Sequence, residues 1–190
     1  MLTAADHEFM EQALELAGRG LYTTTPNPRV GCVIVKDGVL VGSGWHEKAG
    51  LPHAEVLALK EAGDRARGAA LYVNLEPCSH HGRTPPCVDA IVASGIKRVV
   101  AAMQDPNPKV AGSGFAKLRT AGITVEHGLK EDEARELNIG FVSRMARGRP
   151  WMRMKIAASL DGRTALANGK SQWITGEAAR QDGRGAWVAI

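Results

Sequence analysis

Hydrophobic and polar positions along this chain switch repeatedly between helical and extended rhythms. Phe9, Ala13, Leu14, Leu16 and Ala17 recur at helical spacing, and Gly18 and Gly20 end that segment. Thr23 to Arg29 reads Thr-Thr-Thr-Pro-Asn-Pro-Arg, a stiff loop with no helical option. Val30-Gly31-Cys32-Val33-Ile34-Val35 is rich in strand formers. Asp37-Gly38 is then a tight hairpin signal, and Val39-Leu40-Val41 returns. Pro52-His53-Ala54-Glu55-Val56-Leu57-Ala58-Leu59 opens a second helix, with Pro52 suited to its first turn. Ala69 to Leu75 predicts a buried strand. Pro85-Pro86 starts a helix from Cys87 to Ser94, stopped by Gly95. Val99 to Met103 predicts a strand, Phe115 to Ala121 a helix, Ile123 to Glu126 a short strand, and Glu131 to Met145 a helix. Strands alternating with helices predict a layered α/β fold with helices on both sheet faces.

Ala146-Arg147-Gly148-Arg149-Pro150 has linker composition, and Trp151 to Ser159 alternates and reads as a new strand. The predicted organisation is a first domain over residues 1–146, a linker over 147–150 and a further segment over 151–190. That last segment is too short for an independent domain. One echo stands out. Pro26-Asn27-Pro28 and Pro106-Asn107-Pro108 are each followed, one residue on, by a valine. They read either as two turns or as two rigid loops that each present an Asn amide.

Composition narrows the class. With 190 residues, 44% apolar and 23% charged, the chain buries a core without disulfide or metal staples, and extensive disorder, collagen and coiled coil are excluded. Aromatics at 5% leave little material for a base-stacking platform. The net charge of +4 comes without a Lys/Arg run of five, so it reads as an ordinary surface before it reads as an anion site. No apolar stretch is long enough to span a membrane, and the polar start Met1 to Glu8 lacks an apolar leader core. Three cysteines, an odd number, suit a reducing, cytoplasmic setting, where they serve as metal ligands, nucleophile or core filler.

His53-Ala54-Glu55 at a strand-to-helix junction, Pro77-Cys78 after the next strand and Cys87 at the next helix start form the His-x-Glu … Pro-Cys … Cys pattern of zinc deaminases. A catalytic zinc keeps three protein ligands and leaves the fourth position to water. His53, Cys78 and Cys87 supply three. Two thiolates cancel the metal's charge and weaken it as a Lewis acid, so a separate base is useful, and Glu55 is placed to be one. Residues two apart on a helix point roughly 200° apart. The two side chains therefore meet at one metal only if His53 lies outside the regular helix. The cysteines gain from helix N-termini, which lower a thiol pKa. A structural zinc site would be closed by a fourth ligand, for which His80 and His81 are candidates. Cys32, mid-strand in an apolar run, reads as core. Eight residues, Ser79 to Pro86, separate the two cysteines, where deaminases commonly have two. A loop that long beside the metal, carrying Arg83, suits an anionic substrate.

His53-Ala54-Glu55-Val56 and Leu75 through Cys87 resemble the bifunctional deaminase/reductase family of bacterial riboflavin biosynthesis. So do Pro26-Asn27-Pro28-Arg29-Val30-Gly31-Cys32 and Asp105 through Gly112. The likeness runs from about Asp6 to Asp182, and the cysteine spacing separates this family from cytidine, guanine and tRNA-adenosine deaminases. The resemblance implies a cytidine-deaminase-like, three-layer α/β/α fold with a mixed sheet, followed by the start of a dihydrofolate-reductase-like domain. It implies deamination of 2,5-diamino-6-(5-phosphoribosylamino)pyrimidin-4(3H)-one to a uracil product. It makes His53, Cys78 and Cys87 the ligands of one zinc ion and Glu55 the proton shuttle. Asn27, His46, His80, Asp105 and Asn107 match substrate-side positions, and Arg83 stands where the family places a basic residue for the phosphate.

Lys155 to Ala165 and Ser171 to Thr175 resemble the first motifs of the NADPH-dependent reductase half. Ala157 and Trp173 fall on its cofactor side and Ser171 on its substrate side. After Asp182 the likeness stops, and Gly183 to Ile190 reads as an order a helix tolerates poorly. The expectation is a deaminase half able to work alone, beside an interrupted reductase half that binds no NADPH. Its orphan strand would leave an unpaired edge. The family commonly assembles, so a homo-oligomer is expected, with a small phosphorylated pyrimidine as substrate and neither nucleic acid nor membrane as partner. Two rivals stand beside this reading. A nucleic-acid base deaminase predicts the two-residue cysteine spacing. A zinc-stabilised scaffold has no use for Glu55.

Overall fold

The computed structural model describes residues 2–82 and 85–188, with the backbone alone for 184–188. In order come α1 (Ala4–Gly18), β1 (Gly31–Lys36), β2 (Val39–Trp45), α2 (Ala54–Ala62), a 3-10 turn (Gly63–Ala66), β3 (Ala70–Leu75), α3 (Cys87–Ser94) and β4 (Arg98–Met103). Then follow α4 (Ser113–Thr120), β5 (Thr124–His127), α5 (Glu131–Leu137), α6 (Ile139–Arg147) and α7 (Glu177–Val188). Two compact units divide at Trp151/Met152.

The first unit is built on one five-stranded mixed sheet in the order β2-β1-β3-β4-β5. β1 pairs antiparallel with β2 and β3, whereas β3–β4 and β4–β5 are parallel. The central strand β3 is apolar on both sides, as a strand covered on both faces must be. Leu71 and Val73 pack with Ala54, Ala58, Val88, Ile91, Phe115 and Leu118 of α2, α3 and α4. Tyr72 and Leu75 face the other way, toward Met10 and Ala13 of α1 and Ala134 of α5. Helices on both faces of the sheet are what the pattern predicts, and the three-layer α/β/α arrangement with a mixed sheet is what the family resemblance implies. Full burial of a side chain such as Leu71 contributes about 1.5–3 kcal/mol.

A polar staple ties α1 to the sheet. Thr3 and Asp6 form a capping box at the start of α1. The buried Asp6 carboxylate also accepts from the Tyr72 hydroxyl at 2.6 Å and from Arg98 Nη1 at 2.6 Å. Arg98 Nε donates onward to Glu126 of β5 at 2.7 Å. The guanidinium beside Asp6 holds its carboxyl well below the usual range, and burial with the Asp6 bond pushes the Tyr72 phenol up to about 12.

α2 is drawn close to the edge of the sheet. A Cβ on Gly44 of β2 would lie 2.5 Å from the Ala54 carbonyl and 2.7 Å from Leu57 Cβ, so only glycine lets the first turn of α2 rest there. That turn carries Glu55.

Three expectations need correction. The predicted helix from Glu131 to Met145 is two helices broken at Asn138. The Asn138 side chain turns to the opposite loop, accepting from Arg29 N at 2.8 Å and donating to Arg29 O at 3.0 Å. The strand predicted from Trp151 to Ser159 is not a strand, because none of the described residues pairs with it. Met152 and Met154 are 87% and 82% exposed. α7 runs through Gly183 and Gly185, against the expectation that this order resists a helix. Two glycines cost about 1 kcal/mol each relative to alanine.

The second unit, by itself, is mostly turns ahead of α7. Ser159 N donates to Arg163 O and Leu166 N to Lys170 O. Arg180 donates to the Thr175 carbonyl and lies over the Trp173 ring at 4.2 Å.

Candidate active site

The site forms where β3 ends and α2 and α3 begin. His53 is the N-cap of α2 in an extended conformation (φ −75°, ψ 160°), outside the regular helix as the two-residue spacing requires. Cys87 is the first residue of α3, and its N–H donates to Cys78 Sγ at 3.2 Å. His53 Nδ1 lies 3.2 Å from Cys87 Sγ and 3.6 Å from Cys78 Sγ. These three ligand atoms all fall within 4.8 Å of one another, and neither His80 nor His81 joins them. That removes the closed, four-ligand alternative among the described residues.

The donor set fits zinc. Tetrahedral zinc with ligand distances near 2.0–2.3 Å separates its ligand atoms by about 3.3–3.8 Å, close to what is found here. The hydrogen bond from Cys87 holds the Cys78 thiol well below its ordinary value. The side-chain contact with Cys78, together with burial, pushes the Cys87 thiol up. The bond to Cys78 raises His53 against the effect of burial.

Glu55 is buried, and burial is the main cause that raises its pKa. Its Oε2 has no hydrogen-bond partner among the described residues. A buried carboxylate oxygen left open beside a metal-ligand cluster is where a reacting water or ring nitrogen would bind.

A cavity of roughly 510 Å³ opens above this corner, lined by His53, Glu55 and Cys78 and by residues from two loops. On one side are Asn27 and His46. Asn27 Nδ2 lies 3.0 Å from His46 Nε2, and His46 Nδ1 lies 3.1 Å from the Pro52 carbonyl. A proton on Nδ1 donated to that carbonyl leaves Nε2 to accept from Asn27, and burial lowers the His46 pKa to match. On the other side are His80, Asp105 and Asn107. Burial raises the Asp105 pKa, and its Oδ1 accepts the Asn107 N–H at 2.8 Å. The two Pro-Asn-Pro loops thus face the same cavity. Arg83 lies outside the described residues. Ala157, Ser171 and Trp173 belong to the second unit, where Ala157 is half-buried and the other two are exposed. Cys32 is buried in the core, as read from the sequence.

Sequence reasoning passed over three buried polar residues near the cavity: Asn74, Glu76 and Asn138. Asn74 Oδ1 accepts from Gly31 N and its Nδ2 donates to Arg29 O, both at 2.9 Å. The available signal was a polar residue inside an apolar strand, which must find partners.

A His/Cys/Cys donor set with a buried glutamate two residues after the histidine, hung from a mixed sheet between helices, defines a zinc deaminase. The comparisons place it within that class. Residues 3–103 match the cytidine and deoxycytidylate deaminase zinc-binding region, and the chain belongs to that family. Residues 150–184 match the RibD C-terminal domain. Riboflavin biosynthesis protein RibD of Escherichia coli K12 is 62% identical over 177 residues, covering 93% of this chain and 48% of that protein. The structure of Acinetobacter baumannii RibD is 58% identical with a TM-score of 0.91, over 97% of this chain and 52% of that one. A diaminohydroxyphosphoribosylaminopyrimidine deaminase/5-amino-6-(5-phosphoribosylamino)uracil reductase from Thermotoga maritima is 44% identical with a TM-score of 0.88, over 95% of this chain and 52% of that one. The chain spans about half the length of these relatives, and the cytidine-deaminase-like fold is common to them.

Proposed function

We propose that this site hydrolytically deaminates 2,5-diamino-6-(5-phosphoribosylamino)pyrimidin-4(3H)-one to 5-amino-6-(5-phosphoribosylamino)uracil and ammonia, the deaminase step of riboflavin biosynthesis. The observation that carries it is the convergence of His53, Cys78 and Cys87 beside the buried Glu55. Likeness to the RibD proteins and the eight-residue cysteine spacing support the choice of substrate.

His53, Cys78 and Cys87 would hold the zinc, which would supply a Lewis acid that lowers the pKa of the attacking water. Glu55 moves the protons. It accepts one proton as the water oxygen bonds to the ring carbon and passes it to the ring nitrogen. It then takes the proton of the new hydroxyl and delivers it to the amine, so that the C–N bond breaks as the C=O of the uracil forms and ammonia leaves. Burial suits this role, because a carboxyl raised toward neutrality both takes and gives a proton. Asn27 and His46 form one wall for the pyrimidine or ribose, and Asp105 and Asn107 the other. His80 also lines the substrate cavity, and the family resemblance gives Arg83 the phosphate.

The same reading assigns residues 1–146 to the deaminase domain, 147–150 to a linker and 151–190 to the beginning of a reductase unit. In that unit Ala157 and Trp173 lie on the NADPH side and Ser171 on the substrate side. A homo-oligomer and a cytoplasmic location belong to the reading too. No helix among the described residues is long and apolar enough to cross a membrane.

The test is turnover by the zinc-loaded chain on the phosphoribosylamino-pyrimidine, followed by ammonia and by the uracil product, in parallel with cytidine and deoxycytidylate. Turnover of the first substrate in preference to the others is expected. Preference for a cytidine substrate would overturn the assignment.

A further inference from the structure

Glu76 is the first residue past β3 and is only 5% exposed. Both of its oxygens face backbone N–H groups. Oε2 accepts from Asp105 N at 3.0 Å and Gly112 N at 2.9 Å. Oε1 accepts from Gly114 N at 2.8 Å and Phe115 N at 3.3 Å. One carboxylate thus binds the start of the Asp105–Gly112 loop, its end, and the first turn of α4. Such charge-assisted bonds are the strong ones. The fit leaves no slack: a Cβ on Gly114 would lie 2.2 Å from the Pro77 carbonyl and 3.0 Å from Glu76 Oε1.

We infer that Glu76 is a positioning residue that fixes the Asp105/Asn107 wall of the cavity and so sets how tightly the non-reacting part of the substrate is held. Asp105 and Asn107 both line the cavity, and the Asx turn from Asp105 to Asn107 hangs from the N–H that Glu76 holds. Two residues earlier, on the same side of the chain, Asn74 does the equivalent for the opposite loop through Gly31 and Arg29. The end of β3 therefore carries a metal ligand and a clamp for each wall. The four bonds of the Glu76 carboxylate go to the Asp105, Gly112, Gly114 and Phe115 N–H groups and not to His53, Cys87 or Glu55, so its effect is on binding more than on the chemical step.

The kinetic arm of the test rests on the proposed deaminase reading, and a hydrogen-exchange arm does not. In Glu76→Gln an N–H group faces N–H groups. Amide exchange in residues 105–115 is expected to speed up at least about tenfold, with residues 27–31 unchanged. KM is expected to rise about tenfold with kcat within about threefold and with zinc content unchanged. Glu76→Asp keeps the charge and should fall between Gln and the native chain. A double-mutant cycle with Asp105→Ala should be non-additive, as for residues acting through one another. Unchanged exchange in 105–115 overturns the inference, as does faster exchange with an unmoved KM, or a fall in kcat and zinc content at constant KM. Loss of the folded state in both variants also overturns it, because the bonds would then support the domain and not one wall. A native chain that turns over no pyrimidine counts against the deaminase reading, and the exchange arm then decides the clamp alone.

Discussion

The chain contains two segments that alternate apolar and polar or pack apolar residues closely, and they end up in opposite environments. In β3, which pairs with β1 and β4, Leu71 and Val73 are fully buried under α2, α3 and α4. From Trp151 onward, Met152, Met154, Ile156 and Leu160 are exposed, and no ladder forms among the described residues. Period-2 alternation belongs to one segment, but a strand needs a partner for its N–H and C=O groups. The polar residues show the same contrast. Asp6 is buried and bonded to Thr3, Tyr72 and Arg98, whereas Asp161 is exposed with neighbours from its own turn.

The largest expected effect separates the two units by chemistry. Cys87→Ser should lower zinc affinity by more than about 10²-fold and abolish deamination, since even outer-shell changes cost 10–100-fold. Ser171→Ala in the second unit should leave both unchanged. Metal content and ammonia release read the two variants, and equal behaviour would break the contrast.

Next comes stability. Asp6→Ala removes an acceptor shared by Tyr72 and Arg98 and undoes the cap of α1. It should cost about 2–4 kcal/mol in denaturant unfolding. Asp161→Ala should give no measurable change.

A pH scan sharpens the same point. Asp6 is held low in the folded chain, so its contribution is present above the ordinary carboxylate pKa and is lost as pH falls through its folded value. Tyr72 is raised to about 12, so its contribution is intact below the ordinary phenol value of about 10 and is lost as pH rises from there toward 12. Tyr72→Phe should flatten the alkaline limb. An unchanged limb would remove Tyr72 from the staple.

The smallest perturbation is a brief exposure to trypsin. Cleavage should concentrate at Arg153, Lys155, Arg163 and Lys170, in exposed segments without regular structure, and leave residues up to Trp151 resistant. Early cuts in β1–β4, read by mass spectrometry, would contradict the comparison.

These contrasts show what was legible beforehand. Local rules carried the hairpin at Asp37-Gly38 and the α3 limits from Cys87 to Ser94, because each depends on neighbours in sequence, while the grouping of His53, Cys78 and Cys87 was legible through a motif that spans three elements. The break at Asn138 depends on Arg29, more than a hundred residues away, and no local pattern encodes that pair. Glu76 reads as an unremarkable residue before Pro77 until the fold brings four N–H groups to it. The segment from Trp151 failed for the opposite reason: its local pattern is good, and nothing described pairs with it.

The central claim is that Glu55 moves protons at a three-ligand zinc site. The direct test is ammonia release from the phosphoribosylamino-pyrimidine by the zinc-loaded chain beside Glu55→Gln, with zinc measured in both. The account predicts turnover by the native chain, a loss of at least about 10²-fold in the variant, and equal zinc. Equal turnover by the two, or no turnover by the native chain with one zinc bound, would contradict it.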